Sequence, residues 1–310
     1  MHETATEHFS DRLAGAILAK RSVVCAGLDP DLALMPPEFV AERVAAAATG
    51  EEAAAACCAD YCTGIIEAVE DAAAAVKPQA AFFEQYGAAG WAALGRVIAA
   101  ARERGLAVVL DVKRGDISST ARAYAMAAFG GAPLPDGSLS AGLGADAVTL
   151  SPYLGGDSVT PFLDHVRGGK GVFVLTRTSN PGAADLQEIV AGAEPLYLRV
   201  ADLANAWGEG LTGSMGYCDV GVVAGATAPA ALAAVRERLS RAFILVPGIG
   251  AQGGDVEALR GVAAGEAAGV LINASRSIMY AWRDGGGDYR RAAAQAATSL
   301  RNRLGEVLAL

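Results

Sequence analysis

Several things are scarce in this chain of 310 residues, and each scarcity argues against a class of protein. The sequence has only five cysteines, and an odd count does not suggest a disulfide framework. No apolar run reaches about 18 residues, so we expect no transmembrane helix. The first ten residues lack the basic and apolar regions of a signal peptide, so we expect a cytoplasmic protein.

Histidine is rarer still, and the possible metal ligands complete no site. The three histidines are scattered, at His2, His8 and His165. Cys58 and Cys62 lie four residues apart in an alanine-rich helical segment, a spacing that could place two thiols on one face. We prefer buried thiols and surface imidazoles, and we predict neither a metal nor a cofactor.

What is present describes a globular, acidic protein. Hydrophobic residues make up 53% of the chain and charged residues 19%, which excludes a disordered chain. The net charge of −9 argues against general affinity for nucleic acid or anionic membranes. An anionic substrate would need local positive charge at its site. We find no internal repeat and no low-complexity linker, so we predict one domain over residues 1–310.

Short β-rich runs alternate with helical stretches along the whole chain, which indicates an α/β protein. The predicted strands are residues 23–28, 75–77, 107–111, 145–149, 172–175, 220–223, 243–246 and 269–272. Repeated strand–helix units imply a parallel sheet covered by helices. Eight units in about 300 residues fit a closed (β/α)₈ TIM barrel. A doubly wound open sheet is the competing layout.

The connections between these units differ in length. Residues 32–74 form a long helical insertion after the first strand, and residues 130–144 are rich in glycine and proline. Residues 180–195 make a connection too long for an ordinary turn. At the carboxyl face of a barrel, loops of this kind often close over ligands.

Charged and polar residues stand at the carboxyl ends of the predicted strands, where a barrel places its catalytic groups. They are Asp29, Lys77, Asp111, Lys113 and, after the fifth strand, Ser179. On an extended strand Asp111 and Lys113 point to the same side. Each residue has a structural explanation: a turn residue for Asp29, a side chain reaching solvent for Lys77, and an ion pair for the other two charges. Separate structural roles explain five such residues at strand ends less well than one shared site does.

A glycine-rich loop after the seventh strand predicts a second site. Its pattern, Gly248-x-Gly250-x-x-Gly253, matches a dinucleotide fingerprint. The following strand ends at Asn273 rather than at an acidic ribose ligand, although Arg276 could serve a 2′-phosphate, so an NADP site is not excluded. The alternative is a barrel phosphate site, in which backbone N–H groups and Arg276 hold the phosphate. This second interpretation fits the position of the loop in the chain.

Three stretches together resemble orotidine 5′-phosphate decarboxylase. They are residues 111–120 (DVKRGDISST), residues 247–255 (PGIGAQGGD) and residues 275–277 (SRS). The KRGDI form, the chain length and residues 178–182 (TSNPG) are similar to the longer, type 2 subfamily. The matching positions run from residue 29 to residue 276. Either the first or the second stretch alone would be weaker evidence, because related phosphate-binding barrels share parts of both.

The resemblance implies a charge array and a shared site. Asp29 and Lys77 would bind the ribose hydroxyls. An alternating array of charges would be formed by Lys77, Asp111, Lys113 and Asp116. Asp116 and Thr120 would cross into the partner subunit's site, which implies a homodimer.

The resemblance also implies contacts to the base and the phosphate. Ser179 would bond the pyrimidine edge, Gln252 would bridge base and phosphate, and Arg276 would grip the phosphate. Gly254 and Ser275 would be further substrate-binding residues.

The expected reaction is decarboxylation of orotidine 5′-phosphate to uridine 5′-phosphate. Loss of carbon dioxide leaves a carbanion in the ring plane, which the ammonium of Lys113 would stabilise and then protonate. The neighbouring carboxylates favour the charged ammonium. Two alternatives stay open: a sugar-phosphate aldolase or decarboxylase on the same barrel, often dependent on Mg²⁺, and a nucleotide sensor without catalysis.

Overall fold

A computed structural model describes residues 7–249 and 256–310 of the chain. In these residues eight parallel strands form a closed barrel. The strands are β1 Val24–Leu28, β2 Ala75–Pro78, β3 Ala107–Arg114, β4 Ala147–Leu150, β5 Gly171–Arg177, β6 Cys218–Ala224, β7 Ala242–Pro247 and β8 Val270–Ala274. The last strand pairs with the first, Val24 against Ile272 and Ala26 against Ala274. The predicted TIM barrel is confirmed, and the open sheet is excluded.

Burial on both faces explains why the strands are apolar along their whole length rather than at alternate positions. Every residue of β1, β4 and β8 is buried. One face of such a strand meets the barrel interior and the other meets the surrounding helices, so only apolar residues fit at most positions. The exceptions are polar residues at strand ends, which therefore stand out.

Helices separate most of the strands and cover the barrel. They are α1 Phe9–Lys20, α2 Pro37–Ala46, α3 Gly50–Val69, α4 Ala81–Glu84, α5 Gly87–Glu103, α6 Ser118–Phe129, α7 Thr160–Val166, α8 Leu196–Trp207, α9 Pro229–Arg238, α10 Arg276–Met279, α11 Trp282–Gly285 and α12 Tyr289–Leu308. Short 3₁₀ turns occur at Leu32–Leu34, Gly156–Ser158, Pro181–Asp185 and Val256–Leu259. Among the described helices, none has the length and apolar character needed to cross a membrane.

The insertion predicted at residues 32–74 consists mainly of α2 and α3. Thr49 caps α3 by accepting a hydrogen bond from the Glu52 N–H (3.2 Å), which satisfies one of the free donors of the first turn. One face of α3 is buried and carries Cys57, Cys58 and Cys62. These thiols are buried, as predicted.

The connection after β5 has structure of its own. Beyond the 3₁₀ turn, two-residue strands at Val190–Ala191 and Glu194–Pro195 pair antiparallel. Arg238 at the end of α9 forms ion pairs with Glu194 and with Asp202 on α8. This part of the chain, predicted only as a loop, is therefore tied to the neighbouring helices.

At the amino end of the barrel, His8 makes a contact that the sequence did not predict. Its imidazole is partly exposed, and its Nδ1 lies 2.6 Å from Oδ2 of the buried Asp219. The Ser10 N–H donates to the other carboxylate oxygen of Asp219 (2.7 Å). The pair lies 211 positions apart in the chain, so no local pattern could predict it.

Candidate active site

Many polar residues line a cavity of about 410 Å³ at the carboxyl ends of the barrel strands. Seven predicted site residues line it: Asp29, Lys77, Asp111, Lys113, Ser179, Ser275 and Arg276. Residues from five strand ends meet here because a parallel barrel brings all carboxyl ends to one face.

Asp111 is the centre of this site. Its Oδ2 accepts hydrogen bonds from Lys77 Nζ (2.8 Å) and Gln79 Nε2 (2.9 Å). Its Oδ1 accepts from Lys113 Nζ (2.6 Å) and Thr149 Oγ1 (2.8 Å). Four donors from three neighbouring strand ends therefore hold one buried carboxylate in a fixed orientation.

The two lysines keep this carboxylate charged. Burial alone would raise the pKa of Asp111, but the ammonium groups of Lys77 and Lys113 outweigh burial and hold the pKa far below its ordinary value. Burial would likewise lower the pKa of Lys77, and the carboxylates of Asp111 and Asp29 raise it above its ordinary value instead. Asp111 and Lys77 are therefore both ionised at neutral pH.

The backbone of β3 is irregular where it carries the charges. The predicted strand ended at Asp111, whereas the observed strand continues to Arg114, with a shift in its pairing to β4 after Leu110. Lys113 adopts a left-handed conformation with φ of +44°, which is uncommon for a residue other than glycine. Asp111 and Lys113 do meet, but through a bulge rather than through the regular extended strand that we predicted.

Thr149 holds this bulge in place. Its hydroxyl accepts hydrogen bonds from the N–H groups of Val112 (3.1 Å) and Lys113 (3.0 Å). The single hydroxyl proton is then directed to Asp111. One side chain of β4 thus stabilises both the strained backbone and the carboxylate, as expected where strain serves a site.

The two lysines differ in exposure. The side chain of Lys77 is 6% exposed and that of Lys113 is 47% exposed. Both bond the same carboxylate, but only Lys113 has a large part of its side chain uncovered. Both lysines line the cavity, and Lys113 is the more accessible of the two.

One wall of the cavity carries Arg276, the first residue of α10. Arg276 is exposed and forms no ion pair with any residue in the described part of the chain. Close packing with β1 positions the preceding Ser275, because a Cβ on Gly27 would lie 2.0 Å from the Ser275 Oγ. Asp29, just after β1, has a buried Oδ1 without a hydrogen-bond partner among the described residues. The wall therefore offers an uncompensated cation beside an unpaired acceptor.

Ser179 is held at the cavity by the loop after β5. Its carbonyl accepts from Thr227 Oγ1 (3.0 Å), and a Cβ on Gly225 would lie 2.8 Å from its Cα. The preceding Thr178 exchanges two hydrogen bonds with the Gln187 amide, N–H to Oε1 (2.8 Å) and Nε2 to Oγ1 (2.9 Å). The long connection thus closes on itself beside Ser179.

Two predicted residues, Asp116 and Thr120, do not line the cavity. Asp116 accepts a hydrogen bond from the adjacent Ile117 N–H (2.7 Å), and Thr120 is exposed on α6. Within one chain, the array of alternating charges therefore has three members and not four. Gln252 and Gly254 lie outside the described residues.

Sequence reasoning missed several cavity residues: Gln79, Thr149, Gln187 and Asn273. A signal existed for two of them. Gln79 lies two positions after Lys77, and Thr149 is a polar residue in an otherwise apolar strand. No local signal marks Gln187, because only the folded loop brings it to the cavity.

Comparison with known proteins gives one consistent result. The model of the "Orotidine 5'-phosphate decarboxylase / HUMPS family" matches residues 22–291. The orotidine 5′-phosphate decarboxylase of Roseiflexus castenholzii is 43% identical over 304 residues, which are 97% of this chain and 98% of the relative. That of Halorubrum lacusprofundi is 44% identical over 309 residues, with 96% and 99% covered.

A solved structure agrees in fold as well as in sequence. The OMP decarboxylase of Leishmania donovani superposes with a TM-score of 0.72 at 40% identity, covering 96% of this chain and 98% of that one. The residues matched by the family model, 22–291, include every strand of the barrel and every strand end that contributes to the cavity. The chain belongs to the orotidine 5′-phosphate decarboxylase / HUMPS family.

Proposed function

We propose that this protein decarboxylates orotidine 5′-phosphate to uridine 5′-phosphate and carbon dioxide, a lyase reaction of pyrimidine biosynthesis. The observation that carries the proposal is the cluster of Lys77, Asp111 and Lys113 at the cavity of a chain of this family. We further propose that residues 1–310 form one decarboxylase domain and that it acts in the cytoplasm, the expected location of such a biosynthetic enzyme.

The cluster suits a reaction that creates negative charge on carbon. When the bond between the ring carbon and the carboxylate breaks, the electron pair stays on the ring carbon and carbon dioxide leaves. The Lys113 ammonium then stabilises the carbanion and transfers a proton to the same carbon. Asp111 holds the Lys113 Nζ at 2.6 Å, so the donor is oriented before the substrate arrives. Lys77 balances the charge of Asp111.

The rest of the cavity suits a nucleoside monophosphate. We propose that Asp29 and Lys77 bind the ribose hydroxyls, because the free Oδ1 of Asp29 can accept from a hydroxyl. Ser179 would contact the pyrimidine edge. At the phosphate end, Arg276 would pair with the phosphate, assisted by Ser275.

Gln252 and Gly254 complete the phosphate and base contacts in this proposal. Their support is the glycine-rich pattern that contains them and the matching family model. Backbone N–H groups of such a loop can approach phosphate oxygens closely.

The proposed enzyme is a homodimer with shared sites. Asp116 and Thr120 do not line the cavity of their own chain, which fits a role in the site of the partner subunit. An Asp116→Ala chain and a Lys113→Ala chain should each be inactive. Mixing them should restore about a quarter of wild-type activity, because half the dimers are mixed and each has one intact site. Absence of any recovery would count against a shared site.

The decisive test of the reaction is the loss of absorbance of orotidine 5′-phosphate on addition of purified protein in the presence of a chelator. Formation of uridine 5′-phosphate would support the proposal. Activity that disappears on chelation would instead support the aldolase-type alternative, and nucleotide binding measured by calorimetry without product would support a sensor.

A further inference from the structure

Tyr280 joins two parts of the cavity that are distant in sequence. Its hydroxyl donates a hydrogen bond to the Asp29 carbonyl (2.9 Å) and accepts one from the Asp31 N–H (2.7 Å). The two partners bracket the segment that follows β1. One hydroxyl therefore satisfies both backbone groups of a turn that carries a proposed substrate contact.

The same residue is connected to Arg276. The Tyr280 N–H donates to the Arg276 carbonyl (3.0 Å) at the end of α10. A second link runs in parallel, since the Asp29 N–H donates to the sulfur of Met279 (3.0 Å). The turn that bears the free guanidinium is thus fastened to the turn that bears Asp29.

The helical insertion supports Tyr280 from outside. Tyr61 on α3 stacks on Tyr280 with ring centroids 5.9 Å apart, and its hydroxyl donates to the Met279 carbonyl (2.6 Å). Tyr289 in turn stacks on Tyr61, with ring centroids 4.5 Å apart. All three rings are buried, so the cluster has little freedom to shift.

We propose that Tyr280 is a positioning residue that fixes the Asp29 turn relative to Arg276, and that the helical insertion holds Tyr280 in place through Tyr61. The inference rests on the proposed ribose contact of Asp29 and phosphate contact of Arg276. It gives the insertion a function in substrate binding although α2 and α3 contribute no residue to the lining of the described cavity.

The need for such a residue follows from the Asp29 side chain. Its Oδ1 has no hydrogen-bond partner among the described residues, so the direction of this oxygen depends on the backbone of the turn as well as on the attraction of the carboxylate to Lys77. Burial raises the pKa of the Tyr280 hydroxyl well above its ordinary value, so the hydroxyl keeps the proton that it donates. Loss of the hydroxyl would leave two backbone groups unpaired and the carboxylate poorly aimed.

Tyr280→Phe tests the inference, because it removes the hydroxyl and keeps the stacked ring. We expect KM for orotidine 5′-phosphate to rise about tenfold, as for loss of a contact made equally in ground and transition states. We expect kcat to change by less than about threefold. Tyr289→Phe is the matched control: it belongs to the same cluster, and its hydroxyl contacts Arg290 rather than the Asp29 turn.

A double-mutant cycle separates positioning from a general loss of structure. In an Asp29→Ala background, Tyr280→Phe should raise KM by less than about twofold, because the group that it positions is already absent. A full tenfold rise in that background, or an unchanged KM in the single variant, would overturn the inference. If instead Asp29→Ala leaves KM unchanged, the proposed ribose contact itself fails, and the two failures are distinguished.

Tyr61→Phe keeps the proposal testable if the first variant does not fold. It removes the bond to the Met279 carbonyl and preserves both ring stacks. We expect a rise in KM of about two- to threefold, since this contact lies one step farther from Asp29. Circular dichroism of each variant verifies the fold, and no change in KM for folded Tyr61→Phe would contradict the support assigned to the insertion.

Discussion

The two ends of the barrel solve the same physical problem, burial of charge, in different ways. At the carboxyl end, Asp111 is compensated by two lysines, one of which remains 47% exposed. At the amino end, Arg236 on α9 is buried and gives all its described hydrogen bonds to backbone carbonyls, those of Leu239, Ala242, Val262 and Gly269. Only the first arrangement leaves a charged group accessible to a ligand.

The environments of the buried charges reflect this difference. Burial lowers the pKa of Arg236 to about 10, and the bonded carbonyls supply the compensation that a carboxylate provides elsewhere. Arg236 thereby links the starts of β7 and β8 at the end opposite the cavity. A buried charge thus indicates function where it borders a cavity and pairs with a group that remains exposed to that cavity, as Asp111 does with Lys113. Variants at the two ends should separate activity from stability.

The largest effect is expected for Lys113→Ala. Loss of the proposed proton donor should reduce kcat by at least about 10³-fold, with a smaller loss of stability than Asp111→Asn because Lys77 still compensates the buried Asp111 carboxylate. Steady-state kinetics together with urea unfolding measure both quantities. Lys170→Ala is the control, since Lys170 donates to the Ala145 carbonyl at the amino end and should retain wild-type kcat. Near-wild-type turnover of Lys113→Ala would remove the basis for its role.

Asp111→Asn should affect both activity and stability. It leaves the buried ammonium of Lys77 without a compensating charge, which should cost about 3–5 kcal/mol of unfolding free energy. Urea denaturation of variant and wild type gives the difference directly. A loss below about 1 kcal/mol would show that Lys77 is stabilised by other groups.

The same pair predicts the pH dependence of that difference. The pKa of Asp111 is lower in the folded protein, so its contribution is present above the ordinary aspartate value and is lost as pH falls below about 4. The pKa of Lys77 is raised, so its contribution is present below about pH 10.5 and is lost above it. The difference should therefore narrow as pH falls below about 4, where the Asp111 carboxylate loses its charge. A difference that stays constant from about pH 5 down to about pH 2 would contradict this assignment.

Arg236→Met should lower stability without lowering activity. It preserves much of the side-chain volume but leaves buried carbonyls without donors, at a cost of about 2–4 kcal/mol. At a temperature where the variant is folded, kcat/KM should remain within about twofold of wild type. A large loss of kcat/KM in folded protein would show that the two ends of the barrel are coupled, and the comparison would fail.

His8→Ala should have the smallest effect. It removes one of two hydrogen bonds to Asp219, and the Ser10 N–H remains. We expect a loss of about 1 kcal/mol in unfolding free energy and unchanged kinetics. Chemical denaturation at pH 7 measures the change. A loss as large as that of Arg236→Met would indicate that His8 carries most of the support for the buried Asp219.

Most of the fold was predictable, because its signals are local. Eight apolar runs, each long enough for one buried strand and alternating with helical stretches, imply the barrel. The insertion at residues 32–74 was predictable for the same reason. The bulge at Lys113 and the bond between His8 and Asp219 were not, since each depends on a partner that is distant in sequence.

The same distinction between local signals and contacts distant in sequence applies to the candidate site. The sequence by itself determined which charges stand at strand ends. Asp29, Lys77, Asp111 and Lys113 interrupt or follow apolar runs, where a charge is costly unless it is paired or takes part in chemistry. Only the tertiary structure decided how they are connected: Thr149 and Gln79 complete the shell of Asp111, and Tyr280 fastens the Asp29 turn to Arg276. The physical reason is that periodicity and charge are properties of neighbouring residues, whereas a hydrogen bond across the barrel exists only after the strands have closed.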